Sequence, residues 1–141
     1  TSRPLGIPCK CKPDIVSFWV NTTVVYDLKF CNDASPQAFA RSAKSFRYWL
    51  QDAHYCQVLL GLDKAPPDID FAFIACETSP PYAIQVYRYD PKSRASAVDY
   101  WKSKVKELER RKADNDWHDD WDGTLTISPY ELGDTMIEFE G

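Results

Sequence analysis

The amino-acid sequence predicts an α+β fold, in which an antiparallel sheet of about 4–6 strands carries two helices packed on one face. Two observations support this prediction. Short stretches rich in β-branched and aromatic residues come in pairs along the chain. The first two pairs are each followed by a longer stretch with apolar residues at helical spacing. The predicted order is therefore ββα-ββα-ββ, within a single domain that spans residues 1–141.

The first part of the chain is expected to form an arm and then a hairpin. Residues 1–13 contain three prolines and two cysteines and predict an extended Pro/Cys arm. Strands are predicted at 15–20 and 23–30. The second strand alternates between two sets of residues, which is the period of a half-buried strand: Val24, Tyr26, Leu28 and Phe30 against Val25, Asp27 and Lys29. Asn21-Thr22-Thr23 lies between the strands and is an acceptor sequence for an N-glycan on Asn21.

A long helix is predicted next. Ser35 is a good N-cap, Pro36 suits the first helical position, and Gly61 can end the helix. Its apolar stripe includes Phe39, Phe46 and Leu50, which predicts that Phe46 is a core residue. The remaining elements are two strands, a second helix with Trp101 and Val105 facing inward, and two short closing strands; their ranges are 69–76, 82–89, 91–113, 124–127 and 135–140.

Five cysteines in 141 residues indicate an oxidising, extracellular compartment and not a bound metal. Cys9 and Cys11 are separated by one residue, which is too few for a zinc pair, and no second close pair follows. Oxidised cysteines in a secreted protein are the better interpretation, with at least one disulfide that joins Cys9 or Cys11 to a cysteine of the body. Two disulfides would leave one of the five thiols free.

The charges divide along the chain. Residues 1–113 contain 17 basic and 12 acidic side chains, whereas residues 114–141 contain nine acidic side chains and no lysine or arginine. The basic groups concentrate on the two predicted helices, so these helices are the candidate binding surface. The candidate binding residues are Arg41, Lys44, Arg47, Lys102, Lys106 and Arg110. A pI near 5.1 argues against nucleic acid as the partner.

The acidic stretch at 112–123 resembles part of a calcium-binding loop, but it lacks the necessary ligands. With Gly123 at the sixth position of such a loop, the first and twelfth ligands would be His118 and Pro129. The sequence therefore predicts no metal site and no cofactor. The interpretation that we favour is a turn that places Trp117 and Trp121 inward and its carboxylates outward.

Two functions remain after these exclusions. The first, which the sequence favours, is a secreted, disulfide-stabilised protein that binds a protein or another macromolecule through its surface and does not require enzymatic activity. In size, cysteine content and compartment, the chain resembles the small effectors secreted by plant-associated fungi. The alternative is a small secreted hydrolase or nuclease that uses His54, His118 and acidic residues. No apolar stretch approaches the roughly 18 residues of a membrane span.

Overall fold

A computed structural model describes residue 2 and residues 4–19, 22–62 and 68–117 of the chain. Residues 1–110 form one compact unit, and the final turn of the last helix belongs to a second unit that begins at Arg111. The elements, after a short 3₁₀ turn at Pro4–Gly6, are β1 (Ile15–Phe18), β2 (Thr23–Cys31), α1 (Pro36–Ser45), α2 (Tyr48–Leu60), β3 (Ile69–Glu77), β4 (Ile84–Tyr87) and α3 (Pro91–Asp114).

The described residues form an α+β fold with a four-stranded sheet of order β1-β2-β3-β4 and three α-helices. The sheet is mixed, so the prediction of a wholly antiparallel sheet is wrong. β1–β2 and β3–β4 are antiparallel pairs, but β2 and β3 are parallel. The cause is the crossover through α1 and α2, which returns the chain to the end of the sheet at which β2 starts, so that β3 runs in the same direction as β2. The strands predicted at 124–127 and 135–140 lie outside the described residues.

The long first helix predicted from the sequence is two helices, so the observed order of elements differs from the predicted one. Arg47, between α1 and α2, has a left-handed backbone with φ of 53°, which ends one helix and redirects the next. Phe46 therefore does not continue the apolar stripe, and it is 71% exposed. Its assignment to the core is wrong. At the start of α1 the prediction is confirmed, because the Ser35 side chain accepts a hydrogen bond from the Ala38 N–H and Pro36 is the first helical residue.

The core lies on the side of the sheet that faces α1 and α2. Val25, Phe71 and Phe73 are fully buried there, and Phe39 of α1 and Cys56 of α2 pack against them. A second apolar cluster joins α3 to α2, with Ala97, Trp101 and Val105 around Ala53. The helix that carries the crossover, α2, is thus held on two sides.

An ionic contact fixes α2 relative to β3 and α3. The guanidinium of Arg94 on α3 donates to both oxygens of Asp52 at 3.1 and 3.2 Å, and also to Asp70 of β3 at 3.1 Å. Asp52 is 3% exposed. Burial raises the pKa of the Asp52 carboxyl, and Arg94 offsets this only in part. Burial also lowers the pKa of Arg94, but attraction to Asp52 and the neighbouring Cys56 thiol outweighs it, so that pKa is raised.

The N-terminal arm is attached to α2 by hydrogen bonds. His54 Nε2 lies 3.0 Å from the Lys10 carbonyl oxygen, and the Tyr55 hydroxyl donates to the Lys12 carbonyl at 3.4 Å. These hydrogen bonds fix the arm just before β1 begins.

The predicted disulfide through Cys9 or Cys11 is wrong, because all five cysteines carry free thiols. Within the described residues, no helix has the length and apolar character required to cross a bilayer.

Candidate active site

Two charged residues of β2 face α2 from the buried side of the sheet. Asp27 and Lys29 are two positions apart, so both point to the same face as Val25. Asp27 is 4% exposed, and its Oδ2 forms an ion pair with Lys29 Nζ. That oxygen is buried and accepts no hydrogen bond from the described residues. Burial of a carboxylate costs free energy unless a partner compensates its charge, and Lys29 is that partner for Asp27.

Gln51 of α2 contacts both members of the pair. Its Nε2 donates to Asp27 Oδ1, and its Oε1 accepts from Lys29 Nζ at 2.9 Å. The ammonium also lies over the ring of Tyr48, 4.5 Å from the centroid, which is a favourable cation–π position. The helix therefore fixes the direction in which both charged groups point.

Asp14, just before β1, contacts the backbone of β2 between the two members of this pair. The antiparallel register pairs Ile15 with Tyr26, and one residue further it places Asp14 opposite Asp27. Asp14 Oδ2 accepts a hydrogen bond from the Leu28 N–H at 2.9 Å. Asp14 is exposed, and the residue that it contacts, Leu28, lies between the buried Asp27 and Lys29 in the chain.

This donor set fits a divalent cation of the Mg²⁺ type. Magnesium is usually held by one or two carboxylates, with waters and substrate phosphates completing its octahedron. Asp14 and Asp27 provide the two carboxylates, and Asp27 Oδ2 has only its ionic contact with Lys29. Across the described ranges, no group of three or more His, Cys, Asp and Glu residues could hold a metal, so a cage made wholly of protein ligands is not formed there.

His54 does not have the catalytic role predicted for it. The Trp101 indole N–H donates to His54 Nδ1 at 3.0 Å, so that nitrogen is an acceptor. Nε2 then carries the proton and donates to the Lys10 carbonyl. Both ring nitrogens are occupied by structural hydrogen bonds, which leaves neither for acid–base work. His118 lies outside the described residues.

The predicted basic residues lie on two surfaces, and their binding role stays a prediction. Arg41, Lys44 and Arg47 are exposed on α1 and at its end. Arg41 lines a groove that Lys29 also lines. On α3, an exposed stripe with a spacing of four residues contains Lys102, Lys106 and Arg110. Trp117 is 57% exposed, so the expectation that it turns inward is wrong.

A cavity of about 670 Å³ lies away from this site. It is lined by aromatic residues and the first turn of α3, including Trp49, Tyr89 and Tyr100. None of the side chains of the Asp27–Lys29 site lines it. The candidate active site is therefore identified by its carboxylates and its lysine, and not by the volume of a cavity.

The chain belongs to the family described as "PDDEXK-like domain of unknown function (DUF3799)", whose model matches residues 1–120. In one-letter code the name combines a Pro-Asp pair with an Asp or Glu, any residue, and Lys. Pro13–Asp14 and Asp27–Leu28–Lys29 fit those letters, and both lie at the site described above. None of the curated proteins compared with the chain matches it.

This family assignment corrects the first function inferred from the sequence. A secreted, disulfide-stabilised, effector-like binding protein is wrong, because the chain has a nuclease-like domain and its cysteines are free thiols. The alternative, a nuclease, is better supported, but with different residues. The secreted location and a glycan on Asn21, which lies outside the described residues, stay predictions.

Proposed function

We propose that this chain is a nuclease that hydrolyses phosphodiester bonds at the site formed by Asp14, Asp27 and Lys29. The observation that carries the proposal is the buried Asp27–Lys29 pair, held by Gln51 beside Asp14, in a chain of the PDDEXK-like family. The acidic overall charge does not oppose it. Nine of the 21 acidic side chains lie in residues 114–141, outside the elements that form the site.

Asp14 and Asp27 would hold the divalent cation. When bound, such a cation polarises a phosphoryl oxygen and lowers the pKa of a coordinated water. Burial of Asp27 suits this role because few waters compete for its oxygens. Asp14 is exposed and lies where a substrate can approach.

Lys29 would stabilise the negative charge that develops on the phosphate. A water oxygen forms a bond to phosphorus and releases a proton to solvent. The bond from phosphorus to the leaving oxygen breaks with its electron pair on that oxygen, which takes up a proton from solvent. The products are a phosphomonoester and a hydroxyl group. The contacts with Gln51 and the Tyr48 ring hold the Lys29 ammonium in place before substrate arrives. Such preorganised charge is worth most where water is excluded.

Substitution of Lys29 tests the proposal. We expect Lys29→Met to lower the rate of nucleotide release from end-labelled DNA in Mg²⁺ by about 100- to 1000-fold, the usual loss when one charge-stabilising donor is removed. Asp27→Asn should lower it at least as much. The matched control is Lys104→Met, which removes an exposed lysine of α3 that contacts the Tyr100 ring. Hydrolysis at the wild-type rate by Lys29→Met would disprove the proposed function.

A further inference from the structure

A groove runs from the candidate active site along α1. Its volume is about 390 Å³, and Lys29, Asn32, Arg41, Ser42, Phe46 and Tyr48 are among the residues that line it. We call it the α1 groove. Lys29 belongs to both the groove and the site, so the two adjoin at this side chain.

Aromatic rings connect the two. The Tyr48 ring carries the Lys29 ammonium on its face, with 4.5 Å between Nζ and the centroid. Phe46 stacks beside Tyr48, with centroids 5.9 Å apart and planes inclined by 18°. The break at Arg47 ends α1 at Ser45, with Phe46 as the C-cap residue, and the Phe46 ring is 71% exposed. A large flat ring that contributes so little to the core is available to a ligand.

The charge of the groove favours an anion. Arg41 lines it, and Lys44 and Arg47 are exposed on the same segment, whereas the charge of Lys29, which also lines it, is matched by Asp27. Asp33 also lines the groove, but its carboxylate accepts a hydrogen bond from the Ser35 N–H at 2.8 Å at the start of α1. Contacts with Ser35 and, to a smaller degree, the charge of Arg41 hold the pKa of Asp33 below its usual value, so it is ionised. It offsets only part of the basic charge.

We infer that the α1 groove binds an unpaired nucleic-acid strand, with a base stacked on Phe46 and a backbone phosphate against Arg41. This inference rests on the proposed nuclease function and names its substrate: a single-stranded segment or a frayed end. A paired and stacked base does not offer its face to a protein ring, whereas a base in a single strand does. The groove would lead the strand to Lys29, where the next phosphodiester is cleaved.

The test measures binding by fluorescence anisotropy, in EDTA, of a labelled single-stranded oligonucleotide and of the blunt duplex of the same sequence. The wild-type protein should bind the single strand more tightly than the duplex. Phe46→Ala should raise the Kd for the single strand by about 5- to 100-fold, which corresponds to the loss of one stacked base. Phe46→Trp should keep the affinity, and Phe46→Leu should not, because leucine is apolar but cannot stack.

Two further variants complete the design. Arg41→Gln should weaken binding and reduce the dependence of log Kd on log salt concentration by about one, as for a single phosphate contact. Phe18→Ala is the matched control, since Phe18 is 80% exposed at the end of β1 and does not line the groove. Its Kd should be that of the wild type.

Several results would overturn the inference: no binding of the single strand, equal affinity for the duplex, or unchanged affinity in Phe46→Ala. Wild-type affinity in Phe46→Leu would indicate a simple apolar contact and would also overturn it. These outcomes are distinct from failure of the proposed function. If Lys29→Met abolishes hydrolysis while Phe46→Ala binds normally, the active site stands and the groove assignment is wrong. If Lys29→Met retains hydrolysis, the active site itself is wrong.

Discussion

The Lys29 ammonium donates a hydrogen bond to the side-chain oxygen of Gln51 at 2.9 Å, which connects the central strand β2 to the crossover helix α2. The amide nitrogen of the same Gln51 donates to Asp27. One neutral side chain thus orients two charged ones of opposite sign. A residue of either charge at this position would repel one of the pair.

We therefore predict that Gln51→Leu lowers nuclease activity by about 10- to 100-fold, the typical loss when a group that orients a metal ligand is removed. Because Asp27 would lose its orientation, the Mg²⁺ concentration for half-maximal activity should also rise. Gln57→Leu, on the same helix, is the control and should leave both values unchanged. The Mg²⁺ dependence separates positioning from a general loss of stability, and an unaltered Mg²⁺ requirement would contradict this role for Gln51.

The contact between Arg94 and Asp52 predicts a large effect on stability. Arg94→Met leaves the Asp52 carboxylate buried without its partner, and we expect the free energy of unfolding to fall by ~3–5 kcal/mol. Arg88→Met is the matched control. Arg88 forms an ion pair with Asp70, but half of the Arg88 side chain is exposed, so its loss should amount to ~0–1 kcal/mol. Urea unfolding of both variants measures the difference, and equal losses would show that burial of the Arg94 contact is unimportant.

The same variant should show a distinct pH dependence. Burial raises the pKa of Asp52 in the folded protein, and removal of Arg94 takes away the attraction that opposes this rise. A carboxyl group with a raised folded pKa contributes stability that is present below its unfolded pKa and is lost as pH rises through the folded value. The deficit of Arg94→Met relative to the wild type should therefore be smallest at acid pH and grow towards neutrality. A deficit that does not change with pH would disagree with this mechanism.

Two aromatic residues that the sequence placed on the inward faces of helices should respond differently to truncation. Trp101 is 5% exposed and packs in the cluster between α2 and α3, so Trp101→Ala should lower the free energy of unfolding by ~3–5 kcal/mol. Phe46→Ala should change it by no more than ~0.5 kcal/mol, as for most exposed positions. Thermal or urea unfolding checks both. A large loss for Phe46→Ala would mean that this ring has a structural role after all.

Thiol labelling tests the cysteine assignment. Intact-mass measurement after alkylation in denaturant, without any reductant, should show five adducts, because all five cysteines are free. In the folded protein Cys56 should react most slowly. It is 5% exposed, and burial, with the nearby Asp52 carboxylate, raises its pKa to about 12, so little thiolate forms at neutral pH. Fewer than five adducts in denaturant would show that a disulfide is present.

The sequence predicted the positions of most elements but not the direction of the central strands. Strand periodicity reports which residues alternate between faces, and that alternation is the same for parallel and antiparallel neighbours. The direction follows from the helical crossover between β2 and β3. The break at Arg47 could not be read from composition, because nothing in the sequence around it suggests a left-handed residue. Ser35 and Pro36, in contrast, marked the start of α1 correctly.

The site was missed because β2 turns its more polar set of residues towards the helices. The alternation predicted a half-buried strand without saying which set of residues is buried, and Phe30, of the more apolar set, is 72% exposed. Asp27 and Lys29 can face inward only because Gln51, more than twenty residues away, provides their hydrogen bonds. That compensation belongs to the tertiary structure. The pattern that could have found the site was the spacing of Pro13–Asp14 and Asp27–Leu28–Lys29 before and within two adjacent strands.

The parallel pairing of β2 with β3 has a consequence for how the protein folds. Every pair in this ladder, such as Thr23 with Ile69, joins residues 46 positions apart, so the chain must close a long loop before the pairing gains any stability. The helix that closes this loop also carries Gln51. Orientation of Asp27 and Lys29 therefore waits for docking of the crossover, whereas the β1–β2 hairpin and its Asp14 contact are local and can form earlier. Recovery of enzymatic activity during refolding would accordingly lag behind formation of the hairpin and report on completion of the central ladder.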